Sequence, residues 1–259
     1  MQNIELTIVA VFGLIFGSFA NALIYRLPRR IPFGFSRSVC PQCGATIRAL
    51  DNIPLVSYLL LRGRCRTCKL SIPWRYPVVE AMHAGVFVWL YFSFGFTLQL
   101  AAMALLSSAL IAIIFIDLEH MIIPDKLTLP GAVIGLLYSL TPYGIGITSS
   151  AIGLLVGGGA LYLVAMLGEL LFKKESMGGG DIKMAAMLGA FLGWQRVTLI
   201  FVSSAAIGLL VSLVVMAFSP SFRRERMLPF GPFLALAGLV AMVYGDTIIR
   251  LYIDRFILQ

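Results

Sequence analysis

Six residues of this chain have types and spacings that could do chemistry: four cysteines and two aspartates. The cysteines form two CxxC pairs, Cys40 with Cys43 and Cys65 with Cys68, and 21 residues separate the pairs. Two such pairs match the ligand set of tetrahedral Zn²⁺, because each short turn presents two thiolates to one ion. Four thiolates leave no open coordination position, so the pattern predicts a structural zinc site.

Other chemistries of the same cysteines stay open. Iron in a rubredoxin-like site uses the same four ligands, and unmetallated or redox-active thiols are a further alternative. Disulfides require an oxidising compartment, whereas the basic residues around the cysteines place this segment in the reducing cytosol. Zinc is favoured, because a segment this small needs a metal to hold its fold.

The two aspartates, Asp117 and Asp181, each lie at the end of an apolar run. A charge at the centre of a bilayer costs about 2.5–3.5 kcal/mol, so acids at such places need an explanation. If the carboxylates share one depth in a low-dielectric site, both cannot ionise, and one serves as acid and one as base beside a water. Aspartyl-type peptide hydrolysis requires this pair. The alternative is two solvated acids at helix ends.

A motif of three glycines precedes Asp181, and a lysine follows two residues after it. Glycines would let a substrate backbone approach closely, because they carry no side chain. The residues expected to bind substrate are Gly178, Gly179, Gly180 and Lys183. Asp125 competes with Asp117 for the role of first acid, but its position between a proline and a new helix favours an N-cap role.

The composition places these residues in a membrane. Of 259 residues, 59% are hydrophobic and 12% are charged, and the mean hydropathy is +0.94. Soluble domains carry about 25% charged residues, so a water-soluble or disordered chain is excluded. Several apolar runs match the hydrocarbon thickness of about 30 Å. The net charge of +8 is explained by membrane orientation, and no nucleic-acid partner is predicted.

The apolar runs predict an all-α polytopic membrane protein with about eight transmembrane helices and both termini outside. Their approximate limits are 4–24, 78–96, 98–116, 127–142, 147–172, 180–193, 197–218 and 229–249. This topology places 17 of the 20 basic residues on the cytosolic side. The stretch 184–193 is short for a span. A re-entrant hairpin there is the alternative, but it would move Arg223, Arg224 and Arg226 to the outside.

The chain divides by composition into three parts. Residues 1–24 form the first transmembrane helix, residues 25–77 a small cytosolic zinc-binding domain, and residues 78–259 the membrane core with the aspartates. The cytosolic segment holds ten basic residues and a single acid. A GGGA motif at 157–160 lies within a span and predicts close packing of helices.

Taken together, these motifs resemble those of the type IV prepilin peptidases, which are bifunctional leader peptidases and N-methyltransferases of the GxGD intramembrane aspartyl peptidase class. Besides the CxxC pairs, the matching segments are GSFANALIYRLP (17–28), DNIPLVSYLLLRGRCR (51–66), RYPVVE (75–80), IDLEHMIIPDKLTLP (116–130) and GGGDIKMAAMLGAFLGW (178–194). The resemblance implies that Asp117 and Asp181 are the catalytic aspartates.

The resemblance also implies the substrates and the location. Prepilins and pseudopilins would be cut on the cytosolic side of their hydrophobic segment at the bacterial inner membrane, and the new N-terminal amine would be methylated with S-adenosylmethionine. Polar residues of the matching cytosolic segments are candidates for the S-adenosylmethionine site, with structural hydrogen bonds as the alternative role: Asp51, Asn52, Arg64, Arg75 and Glu80. No oligomeric state is predicted.

Three other functions remain open at this point. A transporter could use intramembrane acids to couple to protons or cations, with the zinc domain as regulator. A scaffold could dock pilin precursors without cutting them. A peptidase could also lack methyltransferase activity.

Overall fold

The structure is a computed structural model, and it describes residues 2–32, 38–173, 177–218 and 228–256. The chain divides into two compact units, Met1–Ala112 and Ile113–Gln259. Lys174, Arg223, Arg224 and Arg226, which entered the charge argument, lie outside the described residues.

Helices make up most of the described chain. Their bounds are α1 Gln2–Arg26, α2 Val56–Leu60, α3 Arg75–Phe94, α4 Leu98–His120, α5 Asp125–Tyr138, α6 Ile147–Phe172, α7 Gly179–Phe218 and α8 Gly231–Phe256, with a 3-10 turn at Ala49–Asn52. Six of these helices are long and apolar enough to cross a membrane: α1, α3, α4, α6, α7 and α8. Within the described residues the extended backbone pairs only at two isolated bridges, which confirms the all-α prediction.

In the first unit, α1 and α3 pack closely in antiparallel directions. A β-carbon on Gly13 would lie 2.6 Å from the Cα of Ala84, and one on Gly17 would lie 2.6 Å from the Cα of Glu80. Small residues at these positions let the two backbones touch, as in other membrane helix pairs. The contact involves the first half of α3, the helix that follows the cysteine-containing segment.

In the second unit, α6 packs antiparallel to the first part of α7. Gly157 of the GGGA motif contacts the backbone of Ala185, and Gly158 contacts Ala186. Further along, the hydroxyl of Ser150 donates a hydrogen bond to the carbonyl of Ala190 at 2.5 Å. The predicted role of the GGGA motif in close packing is confirmed.

Helix α7 is broken at Gly193, whose φ of 84° and ψ of 169° are not helical. The break separates a first arm, residues 179–192, from a second arm, residues 194–218. The second arm runs antiparallel to α8, because Arg196 pairs with Asp246 at 2.6 Å and Gly208 packs on Phe233 near the start of α8. The chain therefore reverses direction at Gly193, as a short span followed by a full one requires.

Counting the two arms of α7 separately, the hydrophobic helices correspond to the eight predicted segments. Two of them are short, since α5 has 14 residues and the first arm of α7 covers residues 179–192. They lie side by side in parallel, with Gly131 against Met187 and Gly135 against Phe191. Each is about 21 Å long at 1.5 Å per residue.

Candidate active site

Asp117 lies in the last turn of α4, and its side chain is buried, with 5% of its surface exposed. The helix ends because Met121 adopts a left-handed backbone with φ 53°, and its N–H closes on the carbonyl of Asp117 at 2.8 Å. Pro124 follows three residues later and cannot continue the helix. The segment 121–124 therefore turns directly from Asp117 into α5.

Asp181 lies in the first turn of α7, where the helix dipole favours an acidic side chain. One carboxylate oxygen, Oδ2, faces Gly178, and a β-carbon on that glycine would lie 3.2 Å from it. The other oxygen, Oδ1, is buried and has no hydrogen-bond partner among the described residues. A buried oxygen in this state is available to a proton, a water or a substrate.

The two aspartates lie at the end of α4 and the start of α7, and the start of α8 adjoins them. The charge of Asp117 acts on the carboxylate of Asp181, and the side chain of Ile123 packs against Gly180 on α7. The start of α8 closes the other side, where the N–H of Gly231 donates a hydrogen bond to the carboxylate of Asp117. We call Asp117 and Asp181 the aspartate pair.

This arrangement can carry out acid–base chemistry on a bound water. Two neighbouring carboxylates in a site of low dielectric hold a single proton between them most readily, and the pair titrates as one coupled system. The ionised carboxylate can then take a proton from water while the protonated carboxyl gives its proton to the leaving group.

The three glycines of the motif differ in the space around them. A β-carbon on Gly180 would lie 2.7 Å from the Cβ of Ile123, whereas a β-carbon on Gly179 would meet no atom within 4 Å. Ile123 belongs to the segment that turns away from Asp117, so crowding at Gly180 would be transmitted to the aspartate pair. The third position of the motif is thus the one that must be glycine.

The loss of activity caused by an alanine substitution in this motif should therefore increase with the crowding around the added β-carbon. We expect Gly180→Ala to reduce prepilin cleavage most, by about 10²-fold, since a displacement near 1 Å in a catalytic site has that effect. Gly178→Ala should have an intermediate effect, and Gly179→Ala the smallest. Cleavage rates of the three purified variants measure this order, and a Gly179→Ala variant less active than Gly180→Ala would contradict it.

Lys183 and Asp125 form an ion pair beside the aspartate pair, with 2.7 Å between Nζ and Oδ2. The predicted N-cap role of Asp125 is wrong, because Pro124 occupies the N-cap position of α5 and no side chain caps it. Asp125 is instead the first residue of the helix and joins α5 to α7 through Lys183. Contact of Lys183 with substrate stays a prediction.

The exposure of this ion pair predicts a modest role. The side chain of Lys183 is 40% exposed and that of Asp125 is 53% exposed, and such pairs contribute about 0–1 kcal/mol. We expect Asp125→Asn to lower cleavage by less than about tenfold, far less than Asp117→Asn in the same assay. Equal losses in the two variants would make Asp125 a candidate for the first catalytic acid.

The four cysteines converge in the first unit. Their Sγ atoms all lie within 4.8 Å of one another, and Sγ of Cys40 lies 4.0 Å from Sγ of Cys68. Tetrahedral zinc with Zn–S bonds of about 2.3 Å separates its sulfur ligands by about 3.8 Å. All four thiols are free, so the disulfide alternative is not realised, and the cluster suits a structural metal ion.

The two CxxC turns have the same backbone geometry. In the first turn the N–H of Gly44 donates to the carbonyl of Cys40 at 2.9 Å, and in the second the N–H of Lys69 donates to that of Cys65 at 3.0 Å. Gly44 and Lys69 both have positive φ values, 68° and 61°. Backbone N–H groups of Cys68 and Thr67 lower the pKa of the Cys65 thiol to about 7, whereas burial and the neighbouring thiols raise the pKa of the Cys68 thiol to about 11.

Two of the S-adenosylmethionine candidates lie beside one cavity. Asp51 forms a two-pronged ion pair with Arg66, the shortest bond being 2.6 Å, and these hydrogen bonds lower the pKa of Asp51. Arg64 and Arg66 line a cavity of about 360 Å³. Its other lining residues are Leu61, Arg62, Cys65 and Lys69.

The remaining candidates lie elsewhere in the first unit. Glu80 is buried on α3 and accepts a hydrogen bond from the N–H of Leu55 at 2.8 Å. This bond ties the segment between the two CxxC pairs to α3, near the exposed residue Asn52. The guanidinium of Arg75 lies 5.1 Å from the ring centroid of Tyr76. The structure therefore does not gather all five candidates at one place.

Sequence reasoning missed two residues that contact the sites. Arg66, the partner of Asp51, lies inside the second CxxC pair and was not selected. Gly231, which bonds to Asp117, lies near the start of the last apolar run, and Gly231-Pro232 are the first two residues of the helix. Proline is frequent at the first position of a helix, and that signal could have marked this helix start.

Fold and site together define a polytopic membrane protein with two interacting carboxylates and a four-cysteine cluster. Residues 11–94 match the Bacterial Peptidase A24 N-terminal domain, and residues 104–213 match the Type IV leader peptidase family. The chain belongs to the type IV leader peptidase family.

Similar proteins from several bacteria support this assignment. A protein of Aeromonas hydrophila named prepilin leader peptidase/N-methyltransferase is 36% identical to this chain, and the alignment covers 97% of this chain and 94% of the relative. A protein of the same name from Pseudomonas aeruginosa is also 36% identical, and the alignment covers 94% of this chain and 92% of the relative. The protein of that name from Stutzerimonas stutzeri is 38% identical, with 94% and 92% aligned. No solved structure matches the chain.

Proposed function

We propose that this chain is a membrane-embedded aspartyl endopeptidase that removes the leader peptide of type IV prepilins and pseudopilins and methylates the new N-terminal residue. The observation that carries the proposal is the meeting of Asp117 and Asp181 at converging helix ends, in a chain of the leader peptidase family. The names of the relatives support both activities.

In the proposed mechanism the aspartate pair acts on the peptide bond that follows the leader. One carboxylate removes a proton from water, and the water oxygen attacks the carbonyl carbon. The other aspartate is the protonated carboxyl of the pair, and it donates its proton to the departing amine as the C–N bond breaks. Burial of Asp117 strengthens these interactions by excluding bulk water from the site. The adjacent glycines, Gly178 and Gly179, leave room for an extended substrate backbone.

Zinc is the metal that best suits the cysteine cluster. Cys40, Cys43, Cys65 and Cys68 supply four thiolates and no open position, which fits a structural ion. Iron uses the same ligands, and metal analysis distinguishes the two. The ion would hold the cytosolic segment in shape and would take no part in the cleavage.

The cavity beside Arg64 and Arg66 is the proposed site of S-adenosylmethionine. Its basic lining suits the carboxylate of that molecule, and Asp51 is bonded to Arg66 of that lining. When bound, S-adenosylmethionine supplies an electrophilic methyl group. Asn52, Arg75 and Glu80 would act more remotely, by holding the cytosolic segment against α3.

The charge distribution supports an inner-membrane protein with its active site toward the cytosol. Lys126 and Lys183 lie near the aspartate pair, and basic residues dominate segment 25–77. Short loops rich in Lys and Arg stay in the cytoplasm. Cleavage would then occur on the cytosolic side of the substrate's hydrophobic segment.

Mass spectrometry of the N-terminus of a prepilin tests the proposal. The prepilin is incubated with the purified full-length protein and S-adenosylmethionine, and the expected product is shortened and methylated. A shortened, unmethylated product would favour a peptidase without methyltransferase activity. An intact precursor with a folded enzyme would overturn the proposal and favour a transporter or a scaffold.

A further inference from the structure

Gly231 is the buried first residue of α8, and it lies outside both segments that match the family, 11–94 and 104–213. Its N–H donates a hydrogen bond to the carboxylate of Asp117. A hydrogen bond from a backbone N–H to a carboxylate restricts the rotation of that carboxylate and is stronger than a neutral one.

The neighbouring backbone groups at the start of α8 are already engaged. Pro232 has no N–H, and the N–H groups of Phe233 and Leu234 both donate to the carbonyl of Phe230, at 3.0 and 3.2 Å. Of the first four residues of the helix, only Gly231 thus offers an N–H toward Asp117. The first turn of a helix leaves such groups available to an external acceptor.

The same position cannot hold a side chain without moving Asp117. A β-carbon on Gly231 would lie 2.5 Å from Oδ2 of Asp117 and 2.9 Å from Cδ1 of Ile123. Gly231 is not among the glycines with positive φ, so the backbone conformation would accept any L-residue. Glycine is required here for space.

We propose that Gly231 is a positioning residue for Asp117: its N–H orients the carboxylate, and its missing side chain leaves the room that the carboxylate occupies. This inference rests on the proposed peptidase function. It makes the start of α8 a third part of the active site, beside the end of α4 and the start of α7.

Steady-state kinetics of Gly231→Ala test the positioning role. We expect kcat for prepilin cleavage to fall by about 10²-fold with KM changed by less than about threefold, because the carboxylate is displaced and substrate contacts are kept. Methylation of an already shortened pilin should be unchanged. Gly159→Ala is the matched control, since a β-carbon there meets no atom within 4 Å. A kcat within about threefold of the parent would overturn the proposal.

Trimming Ile123 separates the two contacts of the added methyl group. Ile123→Val removes Cδ1 and therefore relieves crowding against that side chain, but crowding against Asp117 remains. We therefore compare the effect of Gly231→Ala on kcat in two backgrounds, the parent and Ile123→Val. The fold-loss in kcat should be the same in both. Full recovery in the double variant would reduce Gly231 to a packing residue and overturn the proposal.

Nuclear magnetic resonance tests the hydrogen bond without relying on activity. The amide of Gly231 can be observed in protein labelled with ¹³C-carbonyl phenylalanine and ¹⁵N-glycine, and its signal is the one lost in Gly231→Ala. Asp117→Ala should move this amide proton upfield, and Asp181→Ala should move it less. An unmoved signal in Asp117→Ala would overturn the proposal. If the parent protein failed to cleave prepilin, the proposed function would fail, and this measurement would still decide the contact.

Discussion

Replacement of either Asp117 or Asp181 by Ala or Asn should reduce the rate of prepilin cleavage by about 10²–10⁴-fold. In the proposed mechanism, one carboxyl group activates water and the other protonates the leaving group, so both are required. The double variant should be no slower than either single variant, because residues that act as a unit lose their function together. Mass spectrometry of the pilin N-terminus measures the loss.

The aspartate variants should remain folded, because an amide or a methyl group replaces a carboxylate without adding bulk. Methylation of an already shortened pilin should be unchanged in these variants, since the candidate residues for that activity lie in the other compact unit. Asp125→Asn is the matched control, as it removes a nearby exposed carboxylate. Retained cleavage by Asp181→Ala would refute the role of the aspartate pair.

Loss of the metal ion from the cysteine cluster should have the second-largest effect. This effect should fall on methylation more than on cleavage. Cys→Ser at any of the four ligand positions should remove the ion and abolish methylation, whereas cleavage should decline much less. Structural zinc supplies about 10–16 kcal/mol of apparent binding energy, which becomes folding energy of the segment that holds it. That segment has little apolar core of its own, since Leu59 is 73% exposed and Leu60 is 78% exposed.

The metal prediction is measured by elemental analysis, methylation rate and proteolysis of the cysteine-containing segment. Thr67→Ala is the matched control, because Thr67 is an exposed residue between Cys65 and Cys68. A stable Cys40→Ser protein with full methylation would contradict the structural role of the cluster. Removal of the ion from the parent protein by a chelator should reproduce the Cys→Ser effect.

Much of the fold could be predicted from hydropathy and charge alone. The lengths of the apolar runs indicate the helices, and the basic loops indicate the reversal after the short stretch 184–193, where Gly193 now shows a broken helix. The cysteine cluster followed from spacing, because four ligands of one ion must converge. Each of these features depends on residues that are close together in the sequence, so it can be recognised from the sequence alone.

The contacts of the site could not be predicted in the same way. Asp125 was expected to cap its own helix, but its carboxylate pairs with Lys183, which is 58 residues away in sequence. Gly231 reaches Asp117 across 114 positions, and a hydrophobic helix start carries no mark of such a partner. Pairings of this kind depend on how the helices pack against one another. That packing cannot be inferred from the residue types of one sequence.

The two short helices beside the aspartate pair have a consequence for the lipid. At about 21 Å, α5 and the first arm of α7 fall roughly 9 Å short of an average hydrocarbon layer. Such hydrophobic mismatch is relieved when the surrounding bilayer thins, or when polar groups and water descend to the helix ends. The first arm of α7 is largely buried in the protein, whereas α5 exposes Leu129, Val133 and Leu137, so we expect the bilayer to thin beside α5 and acyl-chain length to affect turnover. A prepilin that diffuses in from thicker lipid would then meet water at a depth where an undisturbed membrane has none.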